Sequence, residues 1–282
     1  MTAQIIDGRS LAQQIRETLK FKVSALKKKP HLAVVLVGND EASLIYDRNK
    51  QKAALEIGMK CNIHHLPEDI KQDELNNIVD ALNKDKDVNG IIVQMPLPLH
   101  LDAKDVLKRI SPEKDVDGFG VENLGLLLVN SSQALVAATP KGILKLIQSV
   151  EPHLAGKNAV IIGRSTIVGK PLAALLLNHD CSVTVLHSKS VGISDFVRQA
   201  DIVVAACGNP LFVKKEWIKS GAIVIDVGIN RCNGKLVGDV DFDNVRQVAG
   251  AITPVPGGVG PMTVAMLLDN TFEAYIKQNK EL

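Results

Sequence analysis

Residues 158–171 read NAVIIGRSTIVGKP, and this stretch decides how the second half of the chain folds. Ala159 to Ile162 are apolar without interruption, as in a strand buried on both faces. The turn Gly163-Arg164-Ser165-Thr166-Ile167-Val168-Gly169-Lys170-Pro171 follows and leads into a helix. Glycine between a strand and a helix N-terminus is where a dinucleotide pyrophosphate binds, because the backbone approaches closely and its N–H groups point at the anion. The spacing departs from G-x-G-x-x-G, so alone the loop fits a phosphate site or an ordinary β–α turn equally well.

Its place in a series favours the phosphate site. Apolar, β-branched runs recur at 158–162, 182–186, 201–206, 222–226 and 251–253, spaced for βαβ units with right-handed crossovers. NAD enzymes usually place Asp or Glu after the second strand of such a series, to hold the ribose 2′-hydroxyl. Here that position reads His187-Ser188-Lys189. A hydroxyl and cations suit a 2′-phosphate, with Arg164 adding a planar fork, so NADP is the expected cofactor. The competing reading makes these solvated loop residues.

Toward the N-terminus the alternation repeats. Leu11, Ile15, Leu19, Val23 and Leu26 mark an amphipathic helix, followed by a strand at 32–37, a helix at about 41–57, and a strand near 61–65. A helix carrying Leu75, Ile78, Val79 and Leu82 precedes a strand at 90–94. The pattern weakens between 111 and 139, and Thr139-Pro140 reads as a break. The expectation is an α/β protein of two α/β domains with an interdomain cleft, the second a Rossmann-like parallel sheet. Residues 1–139 plus a terminal helix at 262–282 form the first domain, and 140–261 the second.

Composition bounds the function. The 282 residues are 46% apolar and 23% charged, a globular balance, and the net charge of +2 gives no pull toward nucleic acid or anionic membrane. Lys27-Lys28-Lys29 closes a helix, where cations complement the dipole. No apolar run approaches the roughly 20 residues a membrane span needs, and the N-terminus has no signal-peptide pattern. Cys61, Cys181, Cys207 and Cys232 are scattered without C-x-x-C and read as small buried or partly buried residues of a reducing cytoplasm.

Four stretches outside the second domain's strands carry candidate chemistry. Tyr46 and Lys50 lie four apart and share a helix face, and a lysine in a partly dry pocket can shuttle protons near neutral pH. In Val93-Gln94-Met95-Pro96-Leu97-Pro98, Gln94 ends a buried strand and the prolines enforce a rigid exit, whether for a ligand or only as a loop. Asp115-Val116-Asp117-Gly118 could suggest a metal, but no His or third carboxylate completes a ligand set, so a turn or a substrate hydrogen-bonder is favoured and no metal is expected. Pro254 to Thr263 is too rich in glycine to pack and too apolar for a linker. It reads as backbone laid against a flat ligand, or as a hinge, with Pro261 opening the last helix.

Together these stretches resemble the methylenetetrahydrofolate dehydrogenase/cyclohydrolase family over nearly the whole chain. The matching segments are 43–50, 93–98, 112–119, Thr139-Pro140-Lys141-Gly142, 163–171, 187–189, Asp226-Val227-Gly228-Ile229-Asn230 and 253–268. The resemblance implies that Lys50 shuttles protons with Gln94 tuning its charge, that Tyr46 packs on the aminobenzoyl group, and that Asp117 hydrogen-bonds the pterin. It implies that Val93, Met95 and the run Pro256, Gly257, Gly258, Val259, Gly260, Pro261, Met262, Thr263 and Val264 line the folate, while Gly163, Arg164, Ser165, Ser188 and Ile229 hold NADP. A bifunctional enzyme of one-carbon metabolism and a homodimer are implied too, with a monofunctional dehydrogenase as the alternative. The chain departs from the family at Gly120-Val121, where bacterial relatives often carry His-Pro, and at Asp47, where an apolar residue is common.

Overall fold

The computed structural model describes residues 2–232 and 234–279, of which 41, 42, 43, 45 and 46 are described in backbone only. Among the described residues the strands are β1 (Gln4–Ile5), β2 (His31–Val37), β3 (Lys60–Leu66), β4 (Gly90–Val93), β5 (Asn158–Ile162), β6 (Ser182–Leu186), β7 (Ile202–Ala205), β8 (Ile223–Asp226), β9 (Asn230–Cys232), β10 (Lys235–Val237) and β11 (Ala251–Ile252). Contacts divide the chain into two compact units, Met1–Gln13 with Thr139–Thr263, and Gln14–Ala138 with Val264–Leu282.

The unit containing residues 14–138 is built on a parallel three-strand sheet in the order β3-β2-β4. Leu32 to Val37 are all buried because β2 is central and covered on both faces. Ala33, Val35, Ile91 and Val93 on one side of the sheet pack with Leu75, Val79 and Leu82 of the helix Gln72–Lys84 and with Val106 of the helix Ala103–Arg109. Lys114 closes the first of these helices: its buried ammonium donates to the carbonyls of Leu82, Asn83 and Asp85 at 3.0, 2.8 and 2.7 Å. Those are acceptors that a helix end leaves unpaired.

In the other unit all pairings of the six-strand sheet are parallel, in the order β1-β11-β8-β7-β5-β6. After β5 the chain goes outward to β6, then crosses to β7 on β5's other side. The order therefore reverses between β5 and β7, and ligands of open α/β sheets gather outside the strands' carboxyl ends at such a point.

Three expectations need correction. Residues 1–13 do not belong with the first domain, because β1 pairs with β11 and extends the second unit's sheet. The last helix begins at Val259 rather than at Pro261, which occupies its third position, still within the turn whose N–H groups need no partner. An antiparallel hairpin of β9 and β10, with Gly234 at φ +75° in its turn, follows the fourth strand of the series and was not expected.

Candidate active site

In the first-described unit the helix Glu41–Glu56 carries Lys50 at its middle, 5% exposed despite its charge. Two groups compensate it. Lys50 Nζ donates to Gln94 Oε1 at 2.6 Å and to Asp47 Oδ1 at 3.1 Å. Gln94 is fixed in turn: its backbone N–H continues the ladder onto Val35 at 2.8 Å, and its Nε2 donates to the Met95 carbonyl at 2.8 Å. With its own N–H group engaged at the carboxyl end of β4, the amide must present its oxygen to the lysine.

Asp47 is fully buried, and burial holds its carboxyl above the usual range while Lys50 pulls it back. The thiol of Cys61, on β3, is pushed up to about 11 by burial, with Asp47 reinforcing and Lys50 opposing the shift. Asp117 is partly buried, and burial pushes its carboxyl up to about 6. Lys50 opposes that rise, while Asp115 and Asp47 add to it. A buried ammonium beside a carboxyl held above its usual range is the kind of arrangement found where protons are exchanged with a bound substrate.

The turn that carries Asp117 is held by Asp115, for which a turn was one of the expected readings, and by Asn123 and Asn270, which the sequence did not single out. The Asp115 carboxylate accepts from the backbone N–H groups of Gly118, Phe119 and Gly120, and from Asn123 Nδ2 at 3.0 Å. Asn270, fully buried in the last helix, donates to the carbonyls of Val116 and Val136 at 2.9 and 2.7 Å. Gly118, at φ +68°, leaves room where a Cβ would stand 2.5 Å from Ala137 N. Gly120 is explained the same way, since a Cβ there would stand 2.8 Å from Asp115 Oδ2. Asp115 is therefore a turn-former. The side chain of Tyr46 lies outside the described residues. Val93 is buried and Met95 half-buried beside Gln94.

In the other unit, a cavity of about 480 Å³ opens at the sheet's switch point and is lined by Gly163, Arg164, His187, Ser188, Ala206 and Cys207 among others. Gly163 has φ +133°, and a Cβ on it would stand 2.1 Å from the Ala206 carbonyl oxygen; at Gly169 a Cβ would stand 2.1 Å from the Gly163 carbonyl oxygen. Such close backbone approach between strand end and helix is the cradle a pyrophosphate needs, so the residues present fit a dinucleotide. Ser165 sits at the start of the following helix. Its hydroxyl accepts from the N–H groups of Val168 and Gly169 at 3.1 and 3.4 Å, which starts the helix Gly169–Leu177, and it is not among the cavity's lining residues. Cys207, expected to be buried or partly buried, is exposed at the rim, where burial of its sulfur still pushes the thiol up to about 11.

Ile229 and the run 256–261 share a second, smaller cavity of about 160 Å³. Buried Asp226 lines it, with buried Asp239 bonded beneath. Asp226 accepts from the N–H groups of Gly228, Asp239 and Val240, and Asp239 from those of Cys207 and Gly208 and from Asn230 Nδ2. Asp239 was missed, because its signal depends on the unexpected hairpin. Met262, Thr263 and Val264 belong to the last helix rather than to a loop, and Thr263 Oγ1 lies 3.0 Å from Thr139 Oγ1.

The tetrahydrofolate dehydrogenase/cyclohydrolase family matches the chain through two models, its catalytic domain over residues 6–117 and its NAD(P)-binding domain over residues 137–279. The chain is 53% identical over 272 residues to the bifunctional protein FolD of Wolbachia sp. subsp. Drosophila simulans (strain wRi), covering 95% of this chain and 93% of that one. It is 52% identical over 275 residues to the FolD of Listeria innocua, covering 96% of each. The crystal structure of the FolD methylenetetrahydrofolate dehydrogenase/cyclohydrolase from Campylobacter jejuni superposes with a TM-score of 0.96 at 45% identity, over 99% of this chain and 100% of that one. The Trypanosoma brucei enzyme, complexed with NADP cofactor and an inhibitor, superposes at 0.94 with 40% identity over the whole of both chains. Sequence and fold agree, and the chain belongs to the tetrahydrofolate dehydrogenase/cyclohydrolase family.

Proposed function

We propose that this protein oxidises methylene-tetrahydrofolate to methenyl-tetrahydrofolate with NADP and then hydrolyses the methenyl compound to 10-formyl-tetrahydrofolate. The observation that carries the second activity is the buried Lys50 ammonium, held on Gln94 at 2.6 Å beside a carboxyl raised to about 6. A redox site alone has no use for such a pair; hydrolysis needs a group that moves a proton at the attacked carbon. The relatives quoted above are named as bifunctional, which favours this reading over a monofunctional dehydrogenase.

When bound, NADP accepts the hydride that leaves the carbon bridging two folate nitrogens. The Gly163 backbone, Arg164 and Ser188 hold the dinucleotide at the larger cavity, and Ile229 lines the smaller one. Water attacks the cationic bridge carbon; the Lys50 ammonium gives a proton to the nitrogen that departs, the amine so formed takes one from the attacking water, and the second water proton is released as the formyl C=O forms. The balance is methenyl cation plus water giving formyl product plus one proton. Gln94 aims Lys50, the Asp117 carboxylate accepts from pterin N–H groups, and Tyr46 packs on the aminobenzoyl ring. Val93, Met95 and the run 256–264 supply apolar walls and close backbone.

Turnover of methylene-tetrahydrofolate with NADP tests the reading, with NADPH and formyl product measured separately; NADPH without formyl product would reduce the protein to a dehydrogenase. Arg164 is exposed at the cavity, and a guanidinium there reads the 2′-phosphate. Arg164→Ala is expected to weaken NADP binding by roughly tenfold, the size of one charge-assisted contact, with NAD binding changed little. Equal losses in a titration of both cofactors would refute that role. The reading extends to a cytoplasmic homodimer that supplies formyl groups for purine biosynthesis. Sedimentation equilibrium at twice the chain mass of 30.4 kDa checks the dimer.

A further inference from the structure

Asp47 is a costly residue to keep where it stands. Its side chain has no exposure, and among the described residues its Oδ2 has no hydrogen-bond partner. A buried carboxylate that is half satisfied weakens a fold unless a charge compensates it, and an apolar side chain on this helix face would avoid the penalty altogether. The compensating charge is the Lys50 ammonium, one helical turn away at 3.1 Å from Oδ1. Gln94 brings a dipole to the same ammonium but no charge.

We propose that Asp47 is the counter-ion and positioning residue of Lys50, cancelling its charge where the folate bridge carbon becomes cationic. The proposal rests on the functional reading above. Hydride departure turns a neutral bridge into a cation, and water attack then consumes that cation. An uncompensated ammonium beside the carbon would oppose the first step and expel the intermediate before the second. With Asp47 ionised, the Lys50–Asp47 pair presents no net charge, and Lys50 keeps a proton to move. Among the described residues, Asp117 and, on β3, Cys61 also interact electrostatically with both members of the pair. Asp117 also draws a cation, but it is a separate anchor and does not bond Lys50 in the way Asp47 does.

The test exploits charge. KM and kcat are measured for native protein, Asp47→Asn and Asp47→Glu with two ligands, neutral methylene-tetrahydrofolate and cationic methenyl-tetrahydrofolate. Asn keeps the shape and removes the charge. It is expected to raise KM for the methenyl compound about tenfold more than for the methylene compound, the scale of one unit charge acting at short range in a partly screened site. Glu restores the charge and is expected to bring the ratio back to within about threefold of native. Equal rises in both KM values, or Asn and Glu variants that behave alike, would overturn the proposal.

A second measurement needs no folate and covers an Asn variant that folds poorly. Thermal unfolding is followed for Asp47→Asn in native protein and in a Lys50→Met background. Pairing predicts a lower Tm in the first and an unchanged or higher Tm in the second. The same decrease in both backgrounds shows that Asp47 is not paired to Lys50. Absence of folate turnover by native protein would instead overturn the functional reading, leaving this thermal comparison to decide the pairing.

Discussion

Lys50→Met is expected to lower hydrolysis of methenyl-tetrahydrofolate by about 10²–10⁴-fold, the range of general acid–base contributions, and to leave measurable oxidation of methylene-tetrahydrofolate. Met keeps the apolar stem that lies among buried neighbours and removes only the ammonium. Hydride transfer has no obligatory proton step, so it falls less, through poorer alignment of the bridge carbon. The variant also strands Asp47, whose charge Lys50 had offset at 3.1 Å. Already raised by burial, that carboxyl is driven further toward its protonated form once the ammonium is gone, rather than remaining as a bare buried anion. The cost to folding is therefore smaller than the roughly 3–5 kcal/mol of an uncompensated buried charge. The assay supplies methenyl-tetrahydrofolate directly, subtracts its spontaneous hydrolysis and follows NADPH separately. Hydrolysis near the native rate would remove Lys50 from the proton path and direct attention to Asp117.

The central strands were legible because burial on both faces writes a continuous apolar run, as in Leu32–Val37 and Ala159–Ile162. What escaped was short or exposed. The two residues of β1 point to solvent and pair only through backbone, so no side-chain pattern announces them. The β9–β10 hairpin carries Arg231 and Lys235 and reads as loop. At the site, Gln94 could be placed at a strand's carboxyl end from sequence, but its contact with Lys50 spans 44 positions and depends on β4 lying beside β2. The supporting residues Asn123 and Asn270 look like surface polar groups until their backbone partners are known. Asn270 left one usable trace: it stands four residues after Met266 on a face otherwise apolar, and a polar residue there implies a buried partner. Asp47 left another, an acidic residue one turn before a lysine on a buried stretch of helix.

The pH dependence of folate binding rests on Asp117. To accept from pterin N–H groups its carboxyl must be ionised, and burial has moved that transition up to about 6. At pH 7.5 nearly all of it is charged, while at pH 5 only about a tenth is, so kcat/KM for methylene-tetrahydrofolate is expected to fall roughly tenfold between them. Asp117→Asn removes this slope. It also lowers kcat/KM at neutral pH by roughly 10–100-fold, since hydrogen bonds to a charged acceptor contribute about 1.5–3 kcal/mol. Stability moves the other way. The folded protein binds the Asp117 proton more tightly than the unfolded chain, whose carboxyl titrates near 3.8. Its stabilising contribution is therefore fully present below the unfolded value and is lost as pH rises through about 6. At pH 7.5 the native protein carries a charge its surroundings disfavour, and Asn relieves it. Tm is expected to rise by a few degrees, at about 2–4 °C per kcal/mol for a chain of this size, and less where the partly exposed side chain is screened. Higher Tm together with weaker folate use identifies a carboxylate kept for binding at the expense of the fold. A variant whose Tm falls, or whose kcat/KM keeps the native slope below pH 6, would show that another group carries the titration.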